Sequence, residues 1–229
     1  MLPRLTTSLI ALLAASAFSI SAMAQDPGDW LIRVGLTQVA TDTDSGDLSV
    51  GGSVLEGAQI KVGNDAQPTI NVSYMLTRHI AIEALAALPF SHSIKGDGIL
   101  EGAGKLGSTK HLPPTVSVQY HLRPNAPLRP YLGIGLNYTN FFSSSGTDAL
   151  DAALGGPSSL SIRDSFGLAL QVGADFAIND WVFFNLDLRY VQIEADARIT
   201  TQTAEGEVLS RIKADIDPLV FSAGIGFRF

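Results

Sequence analysis

The chain ends VFSAGIGFRF, where Phe221, Ile225, Phe227 and Phe229 are set off from one another by Ser222, Gly224, Gly226 and Arg228. A period of two is that of a β-strand with one apolar face and one small or polar face. Seven earlier stretches repeat it. In WLIRVGLT, Trp30, Ile32, Val34 and Leu36 oppose Arg33, Gly35 and Thr37. PTINVSYML sets Ile70, Val72 and Tyr74 against Asn71 and Ser73, and IAIEALAAL sets Ile80, Ile82 and Ala84 against Glu83. TVSVQYHL and YLGIGLNYTNFF place Gln119 and His121, then Gly133, Gly135 and Asn137, on the polar face. FGLALQVGADFAI and WVFFNLDLRY place Gln171 and Asp175, then Asn185, Asp187 and Arg189, there as well.

The connections alternate too. After the second, fourth and sixth segments they are short: TRH, RPNAPLRP and ND. After the odd segments they are long and rich in Gly, Ser, Asp and Thr, as in TDSGDLSVGGSVLEG and SSSGTDALDAALGGPSS. Short turns at one end and long loops at the other are the mark of an outer-membrane barrel. The reading is all-β: an eight-stranded antiparallel transmembrane β-barrel with short periplasmic turns, long extracellular loops and both termini in the periplasm. Trp30, Tyr74, Tyr120, Trp181 and Phe229 fall near the short-turn ends, as an aromatic girdle requires. A secreted β-sandwich or lipocalin-like barrel is the soluble alternative. It would turn the face bearing Arg33, Glu83, Asp175, Asp187, Arg189, Arg228 and many glycines outward, whereas that face suits a cramped polar lumen better. Edge strands left unpaired in lipid would strand backbone polar groups, so the last strand must close on the first.

No stretch holds the ~20 continuous apolar residues of a spanning helix. The start, MLPRLTTSLIALLAASAFSISAMAQ, has a charged Arg4, a short apolar run and the small-x-small Ala22-Met23-Ala24. Residues 1–24 are read as a cleaved signal peptide and 25–229 as the barrel domain. The 229 residues carry a formal charge of -7 and no Cys. That excludes a thiolate metal site or Cys nucleophile and argues against a nucleic-acid partner.

Eight strands enclose space for side chains or one small ligand, not an open aqueous pore. Arg33, Glu83, Asp175, Asp187, Arg189 and Arg228 are expected to pair as a lumen plug toward the periplasm, since an unpaired buried charge is costly. Toward the long loops the inward positions turn apolar: Val39, Leu85, Ala87, Phe141, Ala169, Val191 and Val220 are expected to line a substrate channel. An inert, filled lumen is the simpler alternative. Pro89 ends the third strand while Pro113 and Pro114 begin the fourth, its antiparallel neighbour; Pro68 and Pro218 lie at similar heights. Proline donates no ladder hydrogen bond, so Pro89, Pro113 and Pro114 mark a candidate lateral opening, or simply the ends of strands.

Other chemistry is thin. His92 and His111 flank the second long loop on adjacent strands and could meet at its base; they are read as hydrogen-bonded loop packing rather than a metal site, which needs further ligands. Ser91 and His92 point to opposite faces of a strand, so they form no dyad. No nucleophile elbow, phosphate loop or zinc-protease helix is present, and no enzyme, cofactor or metal is expected. The acidic long-loop residues Asp42, Asp44, Asp47, Asp148 and Asp151 lack the spacing of a calcium loop. DALDAALGG is read as a short helix capping the pocket mouth.

ALPFSHSI, KHLPPTVSVQYHL, RPYLGIGLNYTNFF, RDSFGLALQVGADF and IDPLVFSAGIGFRF together resemble the OmpW family of small outer-membrane barrels, which includes the AlkL-type alkane importers. The resemblance implies an eight-stranded barrel with a hydrophobic interior path that moves small apolar molecules. It also implies that Phe229 serves as the terminal signal recognised by barrel-assembly machinery. The remaining partners expected are outer-membrane lipid, lipopolysaccharide and a small hydrophobic substrate. A surface receptor or structural barrel, with function in the long loops, is the alternative.

Overall fold

The structure, a computed structural model, describes residues 24–229; the signal-peptide reading falls almost wholly outside them. The strands are β1 (Trp30–Ala40), β2 (Asp44–Ser45), β3 (Leu48–Val50), β4 (Ser53–Leu55), β5 (Ala58–Val62), β6 (Asp65–Met75), β7 (Ile80–Ala87), β8 (Phe90–Gly98), β9 (Lys105–Leu112), β10 (Thr115–His121), β11 (Leu128–Gly146), β12 (Ser158–Ile162), β13 (Ser165–Ala177), β14 (Val182–Val191), β15 (Glu194–Thr203), β16 (Gly206–Asp215) and β17 (Leu219–Arg228). One helix, α1 (Asp148–Leu154), interrupts the third long loop where DALDAALGG stands.

Eight of these strands form the wall, in the order β10-β7-β6-β1-β17-β14-β13-β11, and β11 pairs back onto β10 to close it. Every wall pairing is antiparallel. Closure rests on β1 and β17: Val34 faces Ile225 and Gly35 faces Gly224. At the very end, Phe229 and Trp30 exchange both backbone hydrogen bonds at 3.0 and 2.9 Å. The terminal Phe completes the ladder, so no strand edge is left open there. At Gly35 and Gly224 the two backbones approach so closely that a Cβ on either would overlap the other.

The alternation sorts the wall's side chains. Leu36, Ile134, Leu136 and Phe166 are exposed on the outer face, while Arg33, Glu83, Asp175 and Asp187 are buried inside. Trp30 packs on Tyr74 with ring centroids 4.9 Å apart and Trp181 on Phe227 at 6.1 Å, at the short-turn end.

Above the wall, the segments read as loops are themselves sheet. β9, β8 and β5 continue from the upper part of β11, and β12, β15, β16, β3 and β4 form a second sheet with β2 beside β16. Here the phase is reversed. Ile212 and Ala214 of β16 point inward, and Arg211 and Lys213 outward. The surroundings explain it: outside the bilayer the outer face meets water, so the apolar residues turn inward.

Candidate functional site

The interior is layered along the barrel axis. Lowest is a small apolar floor of Leu31, Met75, Ala81 and Phe183, all buried. Gly226 makes room for the Phe183 ring, which a Cβ there would strike. The alternation had reserved this end for charge. Leu31 and Phe183 are large apolar residues on the inward parity, and that was the available signal.

Directly above lies the charged layer. Arg33 grips Asp175 with two bonds, Nε to Oδ1 at 3.0 Å and Nη2 to Oδ2 at 2.8 Å. Its Nη1 donates to Ser73 at 2.7 Å and Glu83 at 3.3 Å. Arg189 Nη2 reaches Glu83 at 2.9 Å and Asp187 at 3.3 Å. Neutral side chains fill the remaining valences. Gln119 donates to Glu83 at 2.8 Å, Gln171 to Asp187 at 2.6 Å, Tyr131 to Asp187 at 2.9 Å and Asn185 to Asp175 at 2.8 Å. Five of the six plug residues therefore meet in one network. Arg228 stands at the periplasmic rim instead, 3.6 Å from Asp29. Tyr131, Gln119, Gln171 and Asn185 were not singled out from the sequence as plug residues, although parity put all four inside. Tyr131 fits because Gly173 leaves its ring the space.

Above the charges the lining turns apolar. Val39, Phe141, Ala169, Val191 and Val220 pack into one cluster with Phe90, Ile193, Ala195 and Ile216, and Ala87 packs against it. Leu85 lines a cavity of about 30 Å³ at the lower edge of this cluster, with Arg189 and Asn137 also in its wall. All seven residues proposed from parity thus reach the column. A second cavity of about 30 Å³ shares Val39, His111, Ile193 and Pro218 with the first. A third, of about 90 Å³, shares Ile60, Ile94 and Ala197 with the second and lies in the extracellular sheets. Leu150, Ala153 and Leu154 bring α1 onto its wall. This upper half of the column, from β5, β8, β9, β15 and β16, was not assigned from the sequence.

His92 and His111 meet where the middle and lower cavities adjoin, with Nε2 atoms 3.3 Å apart. They lie above the membrane-spanning strands. Burial, and secondarily the neighbouring His92, push His111 down to about 3, and burial lowers His92 as well. Both imidazoles are neutral at pH 7.

The prolines border an interruption in the hydrogen-bond ladder. β7 and β10 pair only as far as Leu85 and Thr115. The next pair across is Phe90 with His111, between β8 and β9. Residues 86–89 and 112–114 lie between without pairing to each other. Leu88 N–H turns to Pro68 O at 3.2 Å, on the β6 side. Inside, Asn137 Nδ2 donates to Pro113 O at 3.2 Å and Thr115 Oγ1 at 2.9 Å, holding the diproline from the lumen. Leu85, Phe90, His111, Pro113 and Thr115, which frame the gap, all line the lower cavity. Pro68 sits inside β6, paired with Leu36, and does not border it.

Comparison with known proteins agrees with this architecture. The OmpW family matches residues 26–229. Outer membrane protein W of Vibrio cholerae is 38% identical over 96% of this chain and 97% of that protein. Outer membrane protein AlkL of Ectopseudomonas oleovorans is 30% identical over 88% and 83% respectively. The crystal structure of OprG from Pseudomonas aeruginosa superposes with a TM-score of 0.84 at 33% identity, covering 92% of this chain and 99% of that one.

Proposed function

The chain belongs to the OmpW family and is an integral outer-membrane β-barrel, and on that premise we propose that it is a passive uptake channel for small hydrophobic molecules. A molecule enters the apolar column from outside, descends to the lower cavity, meets the charged layer and leaves sideways between β7 and β10 into the bilayer. The observation that carries this is the coincidence of three features at one height: the bottom of the apolar cavities, the top of the ionic layer and the gap in the ladder. Each ligand methylene buried in the column is worth about 0.8 kcal/mol. Below it the same molecule would have to break a hydrogen-bonded charge network, at several kcal/mol per exposed ion. The gap runs the other way. There no ladder bond needs breaking, and the outer faces of Leu88 and Val116 are already exposed to lipid. Lipopolysaccharide around the upper barrel and assembly machinery acting on Phe229 belong to the same reading.

The test replaces Pro113 and Pro114 together by Val and Thr, which supplies N–H donors immediately before β10. Uptake of an apolar substrate by cells or lipid vesicles is expected to slow severalfold. Unchanged uptake in a normally folded double variant would remove the lateral exit. Shortening the β15–β16 hairpin separates this reading from a loop-borne receptor. Transport requires the hairpin for the column wall, whereas a receptor needs it only for recognition.

A further inference from the structure

We infer that His92 and His111 act as a fixed hydrogen-bonded pair whose one bare nitrogen selects, among apolar molecules in the column, those carrying a hydroxyl or N–H donor, such as aliphatic alcohols and phenols. The inference rests on the transport reading above and adds a chemical preference to it.

The proton positions on the two rings are fixed by their partners. His92 Nδ1 lies 2.5 Å from Gly63 O. A carbonyl only accepts, so His92 Nδ1 carries the hydrogen. A neutral imidazole has one donor and one acceptor, so His92 Nε2 is an acceptor. Its neighbour at 3.3 Å is His111 Nε2, which must therefore donate. That leaves the His111 proton on Nε2 and its Nδ1 as a bare lone pair. Among the described residues this Nδ1 has no hydrogen-bond partner. His111 is 4% exposed, with Phe90 and Phe141 each 5.6 Å away between ring centroids. The carboxylate whose charge acts on both imidazoles, Asp65, is engaged elsewhere, accepting from Ser91 N at 2.8 Å and Gln67 Nε2 at 3.0 Å. Burial keeps both rings neutral, so the tautomer order is fixed by Gly63. No group of three metal-ligating side chains forms among the described residues, and both Nε2 atoms are engaged with each other.

His111 lines both the middle and the lower cavity. A molecule passing between them runs along the His111 ring, whose Nδ1 is a buried and unsatisfied acceptor. A hydrocarbon leaves it so; an alcohol of the same shape satisfies it and its own O–H together.

The experiment compares 1-nonanol with decane, matched in heavy atoms, by displacement of an apolar fluorescent probe from the full barrel in lipid nanodiscs. In His111→Phe the affinity for nonanol is expected to fall about tenfold, with decane within about twofold. His111→Asn keeps an acceptor close to the Nδ1 position and is expected to retain most of the nonanol preference. Independently of any variant, the ¹⁵N resonance of His111 Nδ1 should be that of an unprotonated nitrogen and move with nonanol but not decane. A protonated Nδ1, or equal loss of both ligands in folded His111→Phe, overturns the inference and leaves the transport reading standing. Failure of the wild type to bind either ligand overturns the transport reading, and this one with it.

Discussion

Arg33 is the residue on which the charged layer turns, since it alone contacts Asp175, Ser73 and Glu83 together. Its removal would leave two buried carboxylates short of a counter-charge, a change that typically costs about 3–5 kcal/mol. Arg33→Met is therefore expected to lower the denaturation midpoint markedly, read by the heat-dependent shift in electrophoretic mobility of folded barrels. Arg228→Met, at the rim with Asp29 as its ion-pair partner, should cost far less. His111 gives a pH signature. Its imidazole sits at about 3 against the ordinary 6.5 because it is desolvated, with His92 adding to the effect. Between those values the unfolded chain binds a proton that the folded chain refuses. Its contribution is complete above about pH 6.5 and drains away as the pH falls toward 3, by a few kcal/mol in total. Urea unfolding at pH 7 and pH 4 should show this loss in the wild type and much less of it in His111→Phe.

At the scale of elements, the eight wall strands were legible because lipid and lumen impose opposite preferences on alternate residues of each strand. Arg33, Glu83 and Asp187 could be placed inside by parity alone, and so could Val39 and Val191. The extracellular strands were not legible. Above the bilayer the preference reverses, and β15 reads EADARITTQT, with small Ala195 and Ala197 inside and polar residues outside. Against a Gly- and Ser-rich background that resembles a loop. His92 and His111 could be placed on adjacent strands at the base of one loop, where they do meet, although the strands that join them, β8 and β9, were hidden. The gap beside β7 follows from Pro89, Pro113 and Pro114, but the part played by Asn137 does not, because it needs the fold of the diproline carbonyls. Asn137→Leu is expected to release those carbonyls and loosen the seam. Backbone hydrogen exchange at Ala87 and Leu88 should rise severalfold in that variant, with the β1–β17 junction unaffected.

As a whole, the molecule is two interiors stacked end to end. Within the membrane the outside is apolar and the inside holds the charged network over a small apolar floor; above it the outside is polar and the inside apolar. The change occurs at the height where the ladder between β7 and β10 ends. A photoactivatable alkane added to the barrel in lipid vesicles, with adducts mapped by mass spectrometry, tests it directly. Adducts are expected on Val39, Val191 and Ile193 and along residues 86–89 and 112–114, with none on Gln119, Glu83 or Met75. Adducts running down through Gln119 to Met75 would mean a straight path to the periplasm and would contradict that expectation.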